Sequence, residues 1–301
     1  MSVSPYILLT LASLFWSCNW IIGRALHEDV PPLAMTFFRW LFASLILLPL
    51  AWPHLSRDWS TLRRHWKALV FLGAVGIAAH NALAYVGLNY TSATNGVILN
   101  SFIPVMIIAM SWVLFNERLN AGQLAGVAIS LAGVLAILTQ GSLDALRALR
   151  LNKGDLFVIV SMAMWALYTV SLRRAPRTVH PLSLLLAVAL IGDALLLPLW
   201  LGENALSRSM TWTLPNFAAI VSVSLFSSVL AYVFWNRGVE LIGAPVAGLF
   251  VHLMPVFGVI LASIFLGERF EVYHGVGIVL ILAGIAITSR RGRKLSTVLP
   301  D

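Results

Sequence analysis

Ten apolar blocks, each close to the length of a membrane span, leave this chain one environment in which to fold. A bilayer core of ~30 Å is crossed by a helix of about 20 apolar residues, and such blocks end where turn and charge signals begin. The first five run from Pro5 to Ala25, Leu33 to Trp52, Ala68 to Leu88, Ala93 to Phe115 and Gln123 to Thr139. A second five run from Asp155 to Leu172, Leu182 to Leu201, Leu214 to Trp235, Ala244 to Leu266 and His274 to Thr288. Only 11% of the 301 residues are charged and 59% are apolar, with a mean hydropathy of +0.89. Soluble domains carry roughly 25% charged residues, so a water-facing surface cannot be assembled from this chain. The expected fold is all-α and polytopic, with membrane lipid as its outer contact.

The net charge of +8 does not point to nucleic acid, because the basic residues form no stripe or arm. They fall in short bursts between apolar blocks, the pattern that sets membrane orientation. With the N-terminus inside, Arg63, Arg64, Arg173, Arg174, Arg290, Arg291 and seven others fall on the cytoplasmic side. Arg24, Arg147, Arg150, Lys153, Arg208 and Arg269 fall on the other. That asymmetry predicts both termini in the cytoplasm. The lone Cys18 cannot form an internal disulfide, and the first block reads as a retained span rather than a cleaved signal.

The chain also repeats itself. Trp16, Arg24, Pro32 and Pro49 match Trp165, Arg173, Pro181 and Pro198, each pair 149 residues apart. Gly87, Ala93, Pro104, Glu117, Gly126 and Gly133 match Gly238, Ala244, Pro255, Glu268, Gly277 and Gly284, each pair 151 apart. The implied organisation is a first five-helix unit over 1–140, a connection over 141–153, a second unit over 154–290 and a basic tail over 291–301. An odd number of spans per unit makes the copies inverted, and inverted repeats place a solute site near the midplane where they meet.

The paired Glu-Arg…Gly…Gly segments after a proline-containing helix, Glu117-Arg118…Gly126…Gly133 and Glu268-Arg269…Gly277…Gly284, are similar to the EamA repeat of the drug/metabolite transporter superfamily. The Trp16…Arg24…Pro32…Arg39 opening resembles it too, and the likeness covers nearly the whole chain. It implies a ten-helix exporter of small metabolites in the bacterial inner membrane, most like the exporters of aromatic and other neutral amino acids. Val188 stands where a second Arg39 would be, so that position is not symmetric.

Polar groups inside spans are costly and face the bundle interior, so each is a candidate for the solute path. His80, Asn81 and Tyr85 share the third block, and Tyr232 is the repeat mate of Asn81. Trp16, Asn19 and Trp20 share a face of the first block; Trp165 and Tyr168 share one of the sixth. As repeat mates, Trp16 and Trp165 are expected to flank a central cavity, although helix packing explains tryptophans equally well. Asn100 and Ser101 precede Pro104, and His252 precedes Pro255, where proline frees carbonyls and bends the helix. Glu117 and Glu268 read first as caps and topology anchors. Arg39 reads as a substrate-carboxylate contact or a structural pair, and Asp193 as a proton carrier or a helix-to-helix bond. The glycines of the fifth and tenth blocks suit close packing, within the chain or in a homodimer.

The sequence has no His-Glu-x-x-His, no Gly-x-Ser-x-Gly, no Cys/His cluster and no phosphate-cradling loop. A secondary transporter of a small-molecule substrate is therefore expected, with no cofactor or metal. An intramembrane enzyme or a channel using the same polar cavity is the alternative.

Overall fold

The computed structural model describes residues 3–26, 29–88, 90–91, 93–142, 144, 152–206, 209–265 and 269–292, and no strand occurs among them. Among the described residues, ten helical stretches order the chain. The first, α1, is Pro5–Leu26, 22 residues long. The others are α2 Pro32–Arg64, α3 Trp66–Gly87, α4 Ile98–Phe115, α5 Ala121–Leu138, α6 Lys153–Arg174, α7 Pro181–Leu206, α8 Leu214–Ile242, α9 Ala244–Ile264 and α10 Val272–Ser289. Among the described residues α2 to α10 are each long and apolar enough to cross a bilayer. Large apolar side chains stand outward, among them Val113 at 76% exposure and Ile264 at 67%. Water would oppose such a surface; lipid accepts it. The chain is a multi-pass membrane protein.

The second helix runs further than its apolar block. It continues through Pro49 and Pro53 to Arg64. Hydropathy marks only the stretch that meets lipid, whereas the helix carries on as a polar segment past it. Its long partner is α7, and three contacts fix their register. Glu203 accepts hydrogen bonds from the Leu33 and Ala34 amides (3.1 and 2.8 Å), Ser44 donates to Asp193 (2.8 Å), and Asp58 accepts from the His180 amide (3.0 Å). Position numbers rise along α2 as they fall along α7, so the helices are antiparallel. Each also receives, at its start, a carboxylate from near the other's end. Free amides and the helix dipole both favour an anion there.

The same reciprocity recurs between α5 and α10, whose glycines bring the two backbones together. A Cβ on Gly126 would lie 2.7 Å from the Gly284 carbonyl, and one on Gly133 would lie 2.6 Å from that of Gly277. These helices are a packing seam, as the small residues suggested. Elsewhere, Leu9 of α1 packs on Gly238 of α8, and its repeat equivalent Val158 of α6 packs on Gly87 of α3.

Two helices change pitch where the sequence repeats. Gly73–Ala79 in α3 and Ser224–Leu230 in α8 are π-helical, with the His80 and Ala231 amides bonded five residues back to Val75 and Phe226. In α4 the path breaks at Ser101 and Phe102, and in α9 it tightens to 3₁₀ over Leu249–His252, each just before the proline. Wide and tight turns of this kind free carbonyls inside a helix.

Asn120 and Gln123 form the capping box of α5. Glu117, expected to cap that helix, instead pairs with Arg173 at 2.7 Å. Asparagine three residues on is the better N-cap, since its short side chain reaches the Gln123 amide. Glu268 lies outside the described residues.

At the junction of α2 with the segment before α7, the rings of His54 and His180 stack with centroids 3.7 Å apart. Burial, and then the neighbouring His54, hold the His180 imidazole below its ordinary pKa of 6.5. The folded state therefore resists protonation there, and the contribution of His180 to stability is full above pH 6.5 and declines as pH falls from 6.5 through that lowered value. His180→Gln should make the acid-side loss of melting temperature of the detergent-solubilised protein less steep. An unchanged slope in that variant would show that the pair does not contribute to it.

Candidate functional site

The pitch changes expose two carbonyls at equivalent places in the two halves. Gly76 in the first π-turn accepts a hydrogen bond from the Tyr232 hydroxyl (3.2 Å). Ser227 in the second, 151 residues on, accepts from the Trp16 indole (3.1 Å). Each freed acceptor thus takes an aromatic donor from another helix. Glycine is required at 76, because a Cβ there would sit 2.2 Å from the Tyr168 ring.

Around these bonds lies one aromatic cluster. Trp16 meets Trp165 edge-on at 5.2 Å and Trp235 at 5.1 Å; Trp165 in turn touches Tyr168, Tyr232 and His80 at 5.3, 5.3 and 5.1 Å. Trp40 meets Tyr232 at 4.7 Å. All but His80 are buried. Trp16 and Trp165, expected to flank a cavity, touch directly in this state, so the centre is closed.

Polar side chains tie the cluster down. The Tyr168 hydroxyl donates to Asn236 (3.0 Å) and the Trp235 indole to Thr169 (3.3 Å). Asn81 is buried and donates to the Ile77 carbonyl (2.8 Å), beside Tyr232. His80 is half-buried. Its Nδ1 lies 3.0 Å from the Ser161 carbonyl and 2.9 Å from the Ser161 hydroxyl; the carbonyl can only accept and the hydroxyl proton goes to the His80 carbonyl (2.7 Å), which assigns the ring proton to Nδ1. That leaves Nε2 as a lone-pair acceptor with no protein partner among the described residues.

Arg39 of α2 reaches the same place. It is 3% exposed, donating through Nε to Ser228 (2.6 Å) and more weakly to the Ser227 carbonyl (3.4 Å). No carboxylate among the described residues lies within ion-pair distance of it. A guanidinium has five donors, and a buried cation is ordinarily matched by an anion. Among the described residues, the centre therefore holds a buried cation with no anion beside it.

The remaining sequence candidates lie apart. Fully buried His252 has both ring nitrogens engaged: Nε2 donates to the Ser101 carbonyl (2.9 Å), and Nδ1 accepts from Ser130 (2.7 Å). Ser101 also donates to Ile98 (2.6 Å). These bonds join α4, α5 and α9, and no ring contact among the described residues links them to the tryptophans. Tyr85 packs on the apolar group around Leu26, Met35 and Ile220, and its hydroxyl is near enough to that of Tyr232 to interact with it electrostatically. Asn100 is half-buried at the break in α4, and Asn19 is half-buried with its carbonyl oxygen unpartnered. The side chain of Trp20 lies outside the described residues.

Ser161, Ser227, Ser228 and Asn236 carry no motif of their own. The signal that marks Ser227 and Ser228 is their alignment with Gly76 and Ile77, where a pair of hydroxyls replaces a glycine and an isoleucine. A separate groove of about 480 Å³, lined by Tyr6, Phe250, Leu253 and Leu282 among others, opens between α1, α9 and α10. It is predominantly apolar.

A helical membrane protein whose two halves share a buried, closed, polar and aromatic centre has the build of a solute transporter. The EamA-like transporter family matches this sequence twice, over residues 3–139 and 152–290, and the chain belongs to that family. Among its relatives, the uncharacterized transporter YyaM of Bacillus subtilis is 29% identical over 284 residues, covering 94% of this chain and 93% of that one. An uncharacterized transporter of Archaeoglobus fulgidus is 28% identical over 97% of this chain and 99% of its own. A solved crystal structure 20% identical in sequence shares the fold, with a TM-score of 0.80 over 98% of this chain and 99% of that one.

The hydrogen bonding distinguishes the two interior histidines chemically. Diethylpyrocarbonate attacks a free imidazole lone pair, so peptide mapping should find His80 modified and His252 spared. Faster modification of His252 would contradict the assigned bonds.

Proposed function

We propose that this transporter exports neutral or aromatic amino acids across the bacterial inner membrane by alternating access at the Trp16–Trp165–Tyr232 centre. The observation that carries this reading is Arg39, a buried cation with no anion beside it among the described residues, next to a tryptophan and tyrosine cage. A substrate carboxylate supplies the missing charge, through the fork geometry that suits guanidinium. Flat aromatic walls suit an apolar or aromatic side chain. Nε2 of His80 offers an acceptor to the substrate ammonium.

The transport geometry proposed is ten spans in two inverted halves, with both termini in the cytoplasm. Three features support it: the antiparallel register of α2 with α7, the reciprocal glycine contacts of α5 with α10, and the loop asymmetry of Lys and Arg. Alternating access then follows by the two copies exchanging conformations. The closed centre corresponds to the occluded stage.

Flux of labelled phenylalanine or tryptophan into proteoliposomes containing only this protein tests the proposal. His80→Ala and Trp165→Ala should each reduce flux about tenfold or more, a loss of ~1.4 kcal/mol or greater in site interactions. Gly258→Ala, at a position with open space around it, should behave as wild type. Wild-type flux in both centre variants, with normal membrane insertion, would remove them from the path.

A further inference from the structure

Asp193 lies twelve residues into the 26-residue helix α7, about 18 Å from its start at the α-helical rise, which puts it near the middle of the apolar layer. It is 7% exposed. One oxygen, Oδ2, accepts from Ser44 (2.8 Å), while Oδ1 is buried with no hydrogen-bond partner among the described residues. A carboxylate in an apolar interior requires several donors or a cation, and here a single neutral hydroxyl is in contact.

Among the described residues the surroundings supply no counter-ion. On α2, Arg39 is engaged with Ser228, and His54, Arg57 and Asp58 lie more than two turns beyond Ser44, around His180. On α3, Lys67 stands over Trp66 at the start of the helix, and the π-turn Gly73–Ala79 has no ionisable residue; His80, just after it, is held by Ser161. On α8, Tyr232 bonds to Gly76, and Arg237 pairs with Glu240 at 2.6 Å. On α7 itself, Glu203 is spent on the start of α2. A bound metal cation is also disfavoured, since the contact offers it only the carboxylate and one hydroxyl, whereas hard cations take six or more oxygens. A proton is the ligand that fits.

Its position connects it to the centre. Ser44 and Asp193 are 149 residues apart, the repeat offset itself, so equivalent positions of the two halves meet each other here. In the neighbouring Gly192, a Cβ would lie 2.3 Å from Ile77, which is next to Gly76 in the π-turn. A change in the hydration or charge of Asp193 therefore acts one residue away from the turn that holds the aromatic cage.

We propose that Asp193 is a proton-binding site that couples solute export to proton entry. The inference rests on the transporter reading above. In the solute-free closed state Asp193 is neutral. When the seam then opens inward the carboxyl releases its proton to the cytoplasm and solute binds; Asp193 stays ionised while the solute-loaded protein crosses outward, and there it releases solute and takes a proton from the other side. One proton enters for each outward crossing of solute, and no bond other than O–H is made or broken.

Two measurements on the purified protein test this. Dicyclohexylcarbodiimide reacts with protonated carboxyls in apolar surroundings, so at pH 7 it should label the peptide containing Asp193, and Asp193→Asn should abolish that adduct. Labelling elsewhere only would overturn proton occupancy whether or not any solute moves. In proteoliposomes, an imposed pH gradient should drive phenylalanine accumulation several-fold above equilibration. Asp193→Asn should lose that accumulation yet retain exchange of labelled for unlabelled solute at equal pH, and Asp193→Glu should restore part of it. Wild-type exchange with no response to the gradient, or gradient-driven accumulation in the asparagine variant, would overturn the coupling and leave the transport reading standing. Absence of exchange in the wild type would count against the transport reading instead.

Discussion

The centre of this protein depends on two backbone carbonyls released by π-turns, at Gly76 and Ser227. Inside a membrane an unsatisfied carbonyl has no water to turn to, so irregular backbone persists only where something else supplies a donor. The Tyr232 hydroxyl and the Trp16 indole do so here, each from a different helix. Those two bonds fix the aromatic rings at the interface of the halves. Arg39 adds a third donor at the second turn, and with it a charge. The rings, the histidine and the guanidinium therefore share one location because helix pitch fails there twice.

The surrounding helices hold that location without filling it with regular packing. Antiparallel pairs form the frame: α2 with α7, tied at the ends by Glu203 and Asp58, and α5 with α10, tied by glycine contacts. The α2–α7 pair carries a polar contact in its middle, Ser44 with Asp193, where the α5–α10 pair has backbone against backbone. Glycine seams are stiff and close; a hydroxyl–carboxyl contact can exchange partners. The two seams differ in what they permit, which assigns support to one and movement to the other under the proposed mechanism.

Much of the fold was legible in the sequence because lipid imposes a single requirement on every span. Block lengths gave most helix starts to within a few residues, and failed at ends where a helix runs on past its apolar block, as α2 does past Trp52 and α8 past Trp235. Fixed-offset matches foretold that Gly87 and Gly238, or Gly126 and Gly277, would do equivalent jobs, since glycine is retained for closeness rather than for hydropathy. The candidate site was legible only in part. Aromatic residues inside spans stand out against aliphatic neighbours, so Trp16, Trp165, Tyr168 and Tyr232 could be picked. The π-turns could not, because pitch depends on which side chains press on the helix from outside, as Tyr168 does on Gly76. His252 looked like the peer of His80, yet tertiary bonds from Ser101 and Ser130 consume both its nitrogens. Glu117 was read as a cap where Asn120 takes that role.

The central claim is that solute sits at the junction of the two π-turns, and a structure determined with a bound aromatic amino acid tests it most directly. The account predicts ligand density among Trp16, Trp165 and Tyr232, with the carboxylate on Arg39 and the rings parted to admit it. Density instead in the groove between Tyr6, Phe250 and Leu282, with the aromatic cluster still closed, would contradict it.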